Sequence, residues 1–142
     1  MTNRALRVLF VCVHNAGRSQ MAAALANLLS EGTLLAESAG TEPASRAHPT
    51  VVEAMREKGL DLSQNRPRLL TQGMLDEADR VITMGCAVEE VCPGALVPAE
   101  DWGLEDPADR PLEQVRAIRD QIEARVRQLV AEAQALQRTA GV

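Results

Sequence analysis

Residues 8–25 read VLFVCVHNAGRSQMAAAL. An apolar, β-branched run ends at Cys12, small and polar residues lead to Arg18 and Ser19, and an alanine-rich segment follows. The stretch LRVLFVC (6–12) predicts a parallel strand buried on both faces. Ser19 then stands where a helix N-cap would, and Met21, Leu25, Leu28 and Leu29 form one apolar face up to Gly32. Cys12 is therefore placed at a seam between a strand and a helix.

Working outward, LLAESAGT (34–41) reads as a second strand. HPTVVEAMREKG (48–59) reads as a helix, with Pro49 near its start and Gly59 past its end. LTQGMLDEA (70–78) is a short helix, RVITMG (80–85) a third strand, and ALVP (95–98) a fourth. DWGLEDPADRP (101–111) is a loop. From about Leu112 to Gln137, Val115, Ile118, Ile122, Val126, Leu129, Ala133 and Leu136 recur at helical spacing, so a long helix packs one face on the sheet. Alternating strands and helices imply an α/β fold of three layers, a four-stranded parallel sheet with helices on both faces. Ligand sites in such sheets lie beyond the carboxyl ends of strands, at a topological switch point. Cys12 ends the first strand.

A length of 142 residues fits a single domain over 1–142. Hydrophobic residues at 46% and charged ones at 25% are globular composition. A net charge of −5 disfavours nucleic acid as a partner. No run of apolar residues is long enough for a membrane span. The N-terminal apolar stretch is short and lacks a cleavage site, so a cytoplasmic location is expected. The three cysteines, Cys12, Cys86 and Cys92, are too few for a disulfide framework and serve either packing or chemistry. With His14 and His48 they show no paired ligand spacing, so no metal site is expected. His48, before Pro49, reads as a helix-start residue.

Residues Val13, His14, Asn15, Ala16, Gly17, Arg18 and Ser19 have the makings of an oxyanion-binding loop. Successive backbone N–H groups in such a loop form a nest, and the following helix aims its positive end at the same point. Arg18 adds a planar fork that matches two oxygens of a tetrahedral anion. The same field favours the thiolate of Cys12, and a Ser19 hydroxyl turned toward the sulfur would favour it further. A nucleophile then sits beneath a bound oxyanion with no metal and no base. The competing reading is a core cysteine and a surface arginine. A bare C-x5-R is common, but one set between a buried strand and a helix, with Asn and Gly inside, is not.

The segment CVHNAGRS resembles the anion loop of the low-molecular-weight protein tyrosine phosphatases and of the arsenate reductases that share their fold. FVCVHNAGRSQMAAA, ESAGTEPA, RVITMGC, DWGLEDPA and VRAIRDQIEARV extend the resemblance over nearly the whole chain. It implies Cys12 as nucleophile, Arg18 as oxyanion clamp and Asp106, in the Asp-Pro step of EDPAD, as general acid. Asp101, Glu105 and Asp109 then read as solvated loop charges.

Three features divide the branches of this family. Stacking an aryl ring needs aromatic walls, yet the chain has no tyrosine, and Ala108 and Asp109 stand where the phosphatases usually carry them. Trp102 is the one candidate wall, with packing on the last helix as its other reading. Reduction of As(V) to As(III) needs two electrons, and Cys86, at the carboxyl edge of the third strand, and Cys92, in CAVEEVC, supply further thiols. His14 and Ala16 keep the loop small and polar, suited to an inorganic oxyanion.

The resemblance thus implies an arsenate reductase of arsenic detoxification. Arsenate would form an adduct on Cys12, a disulfide would pass to Cys86 and then to Cys86–Cys92, and an external thiol reductant would reset the enzyme. That reductant is thioredoxin, or mycothiol with mycoredoxin; no bound cofactor and a monomer are expected. The alternatives are a small phosphatase and a non-catalytic oxyanion-binding protein. Some thioredoxin-linked relatives hold potassium beside the anion loop through an acid on the first helix. Ala23 takes that place here, so that site is not expected. Ser38 and Asp61 resemble its other parts but read equally as a strand-end hydrogen bond and a turn. The arginines of 116–127 alternate with acids and read as the wet face of the last helix.

Overall fold

A computed structural model describes residues 5–84, 100–105, 107 and 109–140, the last five as backbone. Strand β1 (Leu6–Cys12) is central: β2 (Leu34–Gly40) pairs with it on one side and β3 (Arg80–Thr83) on the other, both parallel. A short β4 (Glu100–Asp101) extends the sheet beyond β3, giving the order β2-β1-β3-β4. The chain leaves β1 toward one side and later returns on the other, so the switch point lies at the end of β1, at Cys12.

The alternation along β1 divides the core. Val8, Phe10 and Cys12 face a large apolar cluster built from α1 (Arg18–Leu29), α2 (Pro49–Arg56) and α4 (Leu112–Ala140). Leu9 and Val11 face a smaller cluster under α3 (Gln72–Glu77), with Leu75 at its centre. Each fully buried side chain of Phe or Leu size contributes roughly 1.5–3 kcal/mol from the area it removes from water. A three-layer sheet with helices on both faces therefore follows from the strand pattern.

Four details depart from expectation, and one expectation falls on residues that are not described. The N-cap of α1 is Gly17, not Ser19, because the Ser19 hydroxyl turns to Cys12 instead of the helix end. The strand expected at 95–98 lies outside the described residues. The fourth strand seen is Glu100–Asp101, which ends inside the stretch expected as a loop; two exposed acidic residues carry no hydrophobic period to reveal a strand. The last helix continues to Ala140. Its polar face is not all wet, since Arg119 is buried. Arg119 Nη1 donates to the Ala54 carbonyl at 2.9 Å and to Glu57 at 2.7 Å, while Arg116 Nη2 donates to Glu57 at 2.6 Å. These bonds staple α4 to the end of α2.

Candidate active site

The loop after β1 is turned inside out by its neighbours. The carbonyls of Val13, His14 and Ala16 accept from the N–H groups of Glu42, Ala44 and His48 at 2.8, 2.9 and 2.9 Å. Gln20 Nε2 donates to the Asn15 carbonyl at 2.6 Å, and Met21 N–H to that of Gly17 at 2.9 Å. Every carbonyl from 13 to 17 thus has a donor, while among the described residues none of the amides of 13–17 has an acceptor. Amides without an acceptor inside the protein are what an anion nest would use. Asn15 supplies the left-handed turn it requires, at φ 51°. Gly40, at the end of β2, lets the loop settle: a Cβ there would lie 2.5 Å from the Val13 carbonyl oxygen and 2.9 Å from the Asn15 nitrogen.

Cys12 is buried at the base of this loop, its Sγ 2.9 Å from Ser19 Oγ. Asn15 decides the sense of that contact. Its Oδ1 accepts from the Arg68 backbone N–H at 2.9 Å, so its Nδ2 is the atom donating to Ser19 Oγ at 2.8 Å. Ser19 accepts from Asn15, which leaves its own proton for Cys12. The hydroxyl of Ser19 is thereby aimed at the sulfur of Cys12.

Arg18 is buried as well. Its Nη1 donates to the Met84 carbonyl at 2.5 Å and the Leu104 carbonyl at 2.9 Å. The guanidinium therefore spans the end of β3 and the segment after β4, and its plane is fixed before any anion arrives. Met84 lies two residues before Cys86, and Leu104 two before Asp106. Cys86, Cys92 and Asp106 themselves fall outside the described residues. Pro107 does not, and it docks on the anion loop. A Cβ on Gly17 would lie 2.7 Å from Pro107 Cγ and 3.5 Å from His48 Cδ2.

His14 is exposed, its Nδ1 3.0 Å from the Glu42 carbonyl. His48 is the N-cap of α2, as expected. Trp102 is no wall. It is buried against Phe10 in an edge-to-face pair, 5.5 Å between centroids and 62° between planes. Asp101 is exposed, in β4 rather than a loop, and accepts from Thr83 Oγ1 at 2.8 Å. The oxygens that would hold a potassium ion are engaged otherwise. Ala23 presents a methyl group, Asp61 Oδ1 accepts from Ser63 N–H at 2.9 Å, and the Ser38 carbonyl accepts from Arg68 Nη2 at 3.3 Å. Position 23 thus offers no acid to an ion. Sequence reasoning missed Arg68, Gln20 and the carbonyls of Met84 and Leu104. Backbone acceptors leave no trace in residue type, and Arg68 stands 53 positions from Asn15.

The family model for low molecular weight phosphotyrosine protein phosphatase matches residues 7–140. The chain belongs to this family. Among curated relatives of family type, a Halobacterium salinarum protein named "Putative arsenate reductase" is 47% identical over 122 residues, 82% of this chain and 85% of that one. The "Glutaredoxin arsenate reductase" of Synechocystis sp. is 40% identical over 129 residues, 88% and 96% of the two chains. Among solved structures, "An arsenate reductase in the phosphate binding state" superposes with a TM-score of 0.80 at 37% identity, covering 90% of this chain and 98% of that one. The "YwlE arginine phosphatase from Geobacillus stearothermophilus" gives 0.82 at 30% identity, covering 93% and 95%. The family thus holds both a reductase and a phosphatase on this fold.

Proposed function

We propose that the protein is a cytoplasmic arsenate reductase of arsenic detoxification. The observation that carries this choice is the place of its aromatic residues. The chain has one Phe, one Trp and no Tyr, and Phe10 and Trp102 are paired with each other in the core. Nothing is left to stack an aryl phosphate, whereas a bare inorganic oxyanion needs only the nest and the arginine fork.

In this mechanism the loop amides and Arg18 hold arsenate, and the Cys12 thiolate attacks arsenic. Asp106 protonates the departing oxygen, which leaves as water. The thiolate of Cys86 then attacks Cys12 Sγ. The sulfur–arsenic bond breaks and its electron pair stays on arsenic, which departs as arsenite, As(III). The two electrons come from the two sulfurs, now a Cys12–Cys86 disulfide. Cys92 attacks Cys86 in turn, freeing Cys12 and leaving Cys86–Cys92 for a small dithiol reductant. The ties of Arg18 to Met84 and Leu104 support this sequence, since one clamp links the anion to the segments leading to Cys86 and Asp106.

The test is donor-dependent turnover with arsenate, run separately with thioredoxin, glutaredoxin with glutathione, and mycothiol with mycoredoxin. Thioredoxin is expected to sustain it. Hydrolysis of p-nitrophenyl phosphate or of a phosphoarginine peptide, with no arsenate-dependent oxidation of any donor, would instead make the protein a phosphatase.

A further inference from the structure

We propose that Arg68 is the resident cation and a positioning residue of the anion loop, holding Asn15 in the orientation that turns the Ser19 hydroxyl toward Cys12. This deepens the proposed function and rests on the same loop. Residue 68 meets three partners on two elements. Its N–H donates to Asn15 Oδ1 at 2.9 Å, its carbonyl accepts from Gly40 N–H at 2.8 Å, and its Nη2 donates to the Ser38 carbonyl at 3.3 Å. The side-chain bond to Ser38 adds a second tie to β2 beside the backbone bond to Gly40, and in this reading the two together hold the N–H on Asn15.

Without that N–H, the Asn15 amide would have no reason to present Nδ2 rather than Oδ1 to Ser19. A reversed amide would ask the Ser19 proton for itself and withdraw it from Cys12. Arg68 has no carboxylate partner among the described residues, so its charge is not spent on an ion pair. The Ser38 carbonyl, on the loop's flank, is thus served by a guanidinium of the chain, where a free alkali ion would have to be recruited from solution. Gln20, Ser38, Gln64, Asn65, Arg66 and Arg68 line an open cavity of about 440 Å³, so a small cation from solvent reaches this place when the side chain is removed.

The experiment has two arms. In the first, wild-type protein is assayed in potassium, sodium and choline chloride at one ionic strength, following melting temperature and the protection of Cys12 by phosphate. All three salts are expected to give the same values. In the second, Cys86→Ser/Cys92→Ser leaves Cys12 as the sole cysteine, and its alkylation at neutral pH is timed with and without Arg68→Ala. The loss of the hydrogen bond to sulfur is expected to slow alkylation ~10-fold. Arg68→Lys should recover most of the loss, and millimolar guanidinium should restore Arg68→Ala alone.

A potassium-specific rise in wild-type stability or phosphate protection would overturn the proposal. So would an Arg68→Ala variant that matches its parent, or one that guanidinium does not rescue. If Arg68→Ala does not fold, Arg68→Gln takes its place and the salt series still decides. Neither arm uses arsenate, so failure here is distinct from failure of the reductase reading.

Discussion

Asn15 Nδ2 donates to Ser19 Oγ at 2.8 Å, and Ser19 Oγ lies 2.9 Å from Cys12 Sγ. The first bond fixes the second, because a hydroxyl that already accepts turns its proton to the sulfur. A hydrogen bond to a charged partner contributes about 1.5–3 kcal/mol. Ser19→Ala should therefore slow the attack of Cys12 roughly tenfold to a hundredfold. Asn15→Ala should do the same while also loosening the left-handed turn. Single-turnover rates with saturating oxyanion check both.

Two glycines are held by what a methyl group would strike. At position 40 the obstacle is backbone, the Val13 carbonyl at 2.5 Å, which cannot give way without moving the loop. Gly40→Ala should lose about 1–3 kcal/mol of stability and weaken phosphate binding as well. At position 17 the obstacle is the Pro107 ring at 2.7 Å. Gly17→Ala should spare stability more and act on kcat, by pushing Pro107, the neighbour of Asp106 in sequence, off the loop. Denaturation midpoints set beside kcat and KM separate the two effects.

Trp102 packs edge-to-face on Phe10 and donates from Nε1 to Glu100 at 3.3 Å. If it belongs to the core alone, Trp102→Phe should lower the melting temperature and leave KM for arsenate unchanged. A several-fold change in KM would return it to the site.

Glu57 is held at about 2, well below the ordinary 4.5, first by its hydrogen bond from Arg116 and then by that from Arg119. A carboxyl lowered on folding stabilises the protein above its unfolded value, and that stability drains away as pH falls toward the folded value. Acid should therefore weaken the α2–α4 staple between pH 4.5 and about 2. Glu57→Gln should be less stable at neutral pH and lose less in that window. Thermal melts across the range test the sign.

The sheet and its helices were legible in the sequence because β1 and α4 carry long, clean periods, and because Pro49 and Gly59 mark the limits of α2. The loop after β1 stood out for a different reason: the residue types at Cys12, Asn15, Gly17 and Arg18 suit an oxyanion site. What could not be read is what the backbone does. The carbonyls of Met84 and Leu104 hold Arg18 whatever side chains those residues bear. Ser19 looked like a helix cap because its residue type suits one, and only the approach of Asn15 and Cys12 assigns its hydroxyl elsewhere. Arg119 looked like surface charge because its partners, Ala54 and Glu57, come from another helix.

One turnover without a donor separates reduction from hydrolysis. Fully reduced protein is mixed with excess arsenate, and arsenite and remaining thiols are counted after quenching. The reductase mechanism predicts one arsenite per chain and the loss of two of the three cysteine thiols, with Cys86–Cys92 as the disulfide found by peptide mapping. Protein that keeps all three thiols and releases no arsenite would contradict it.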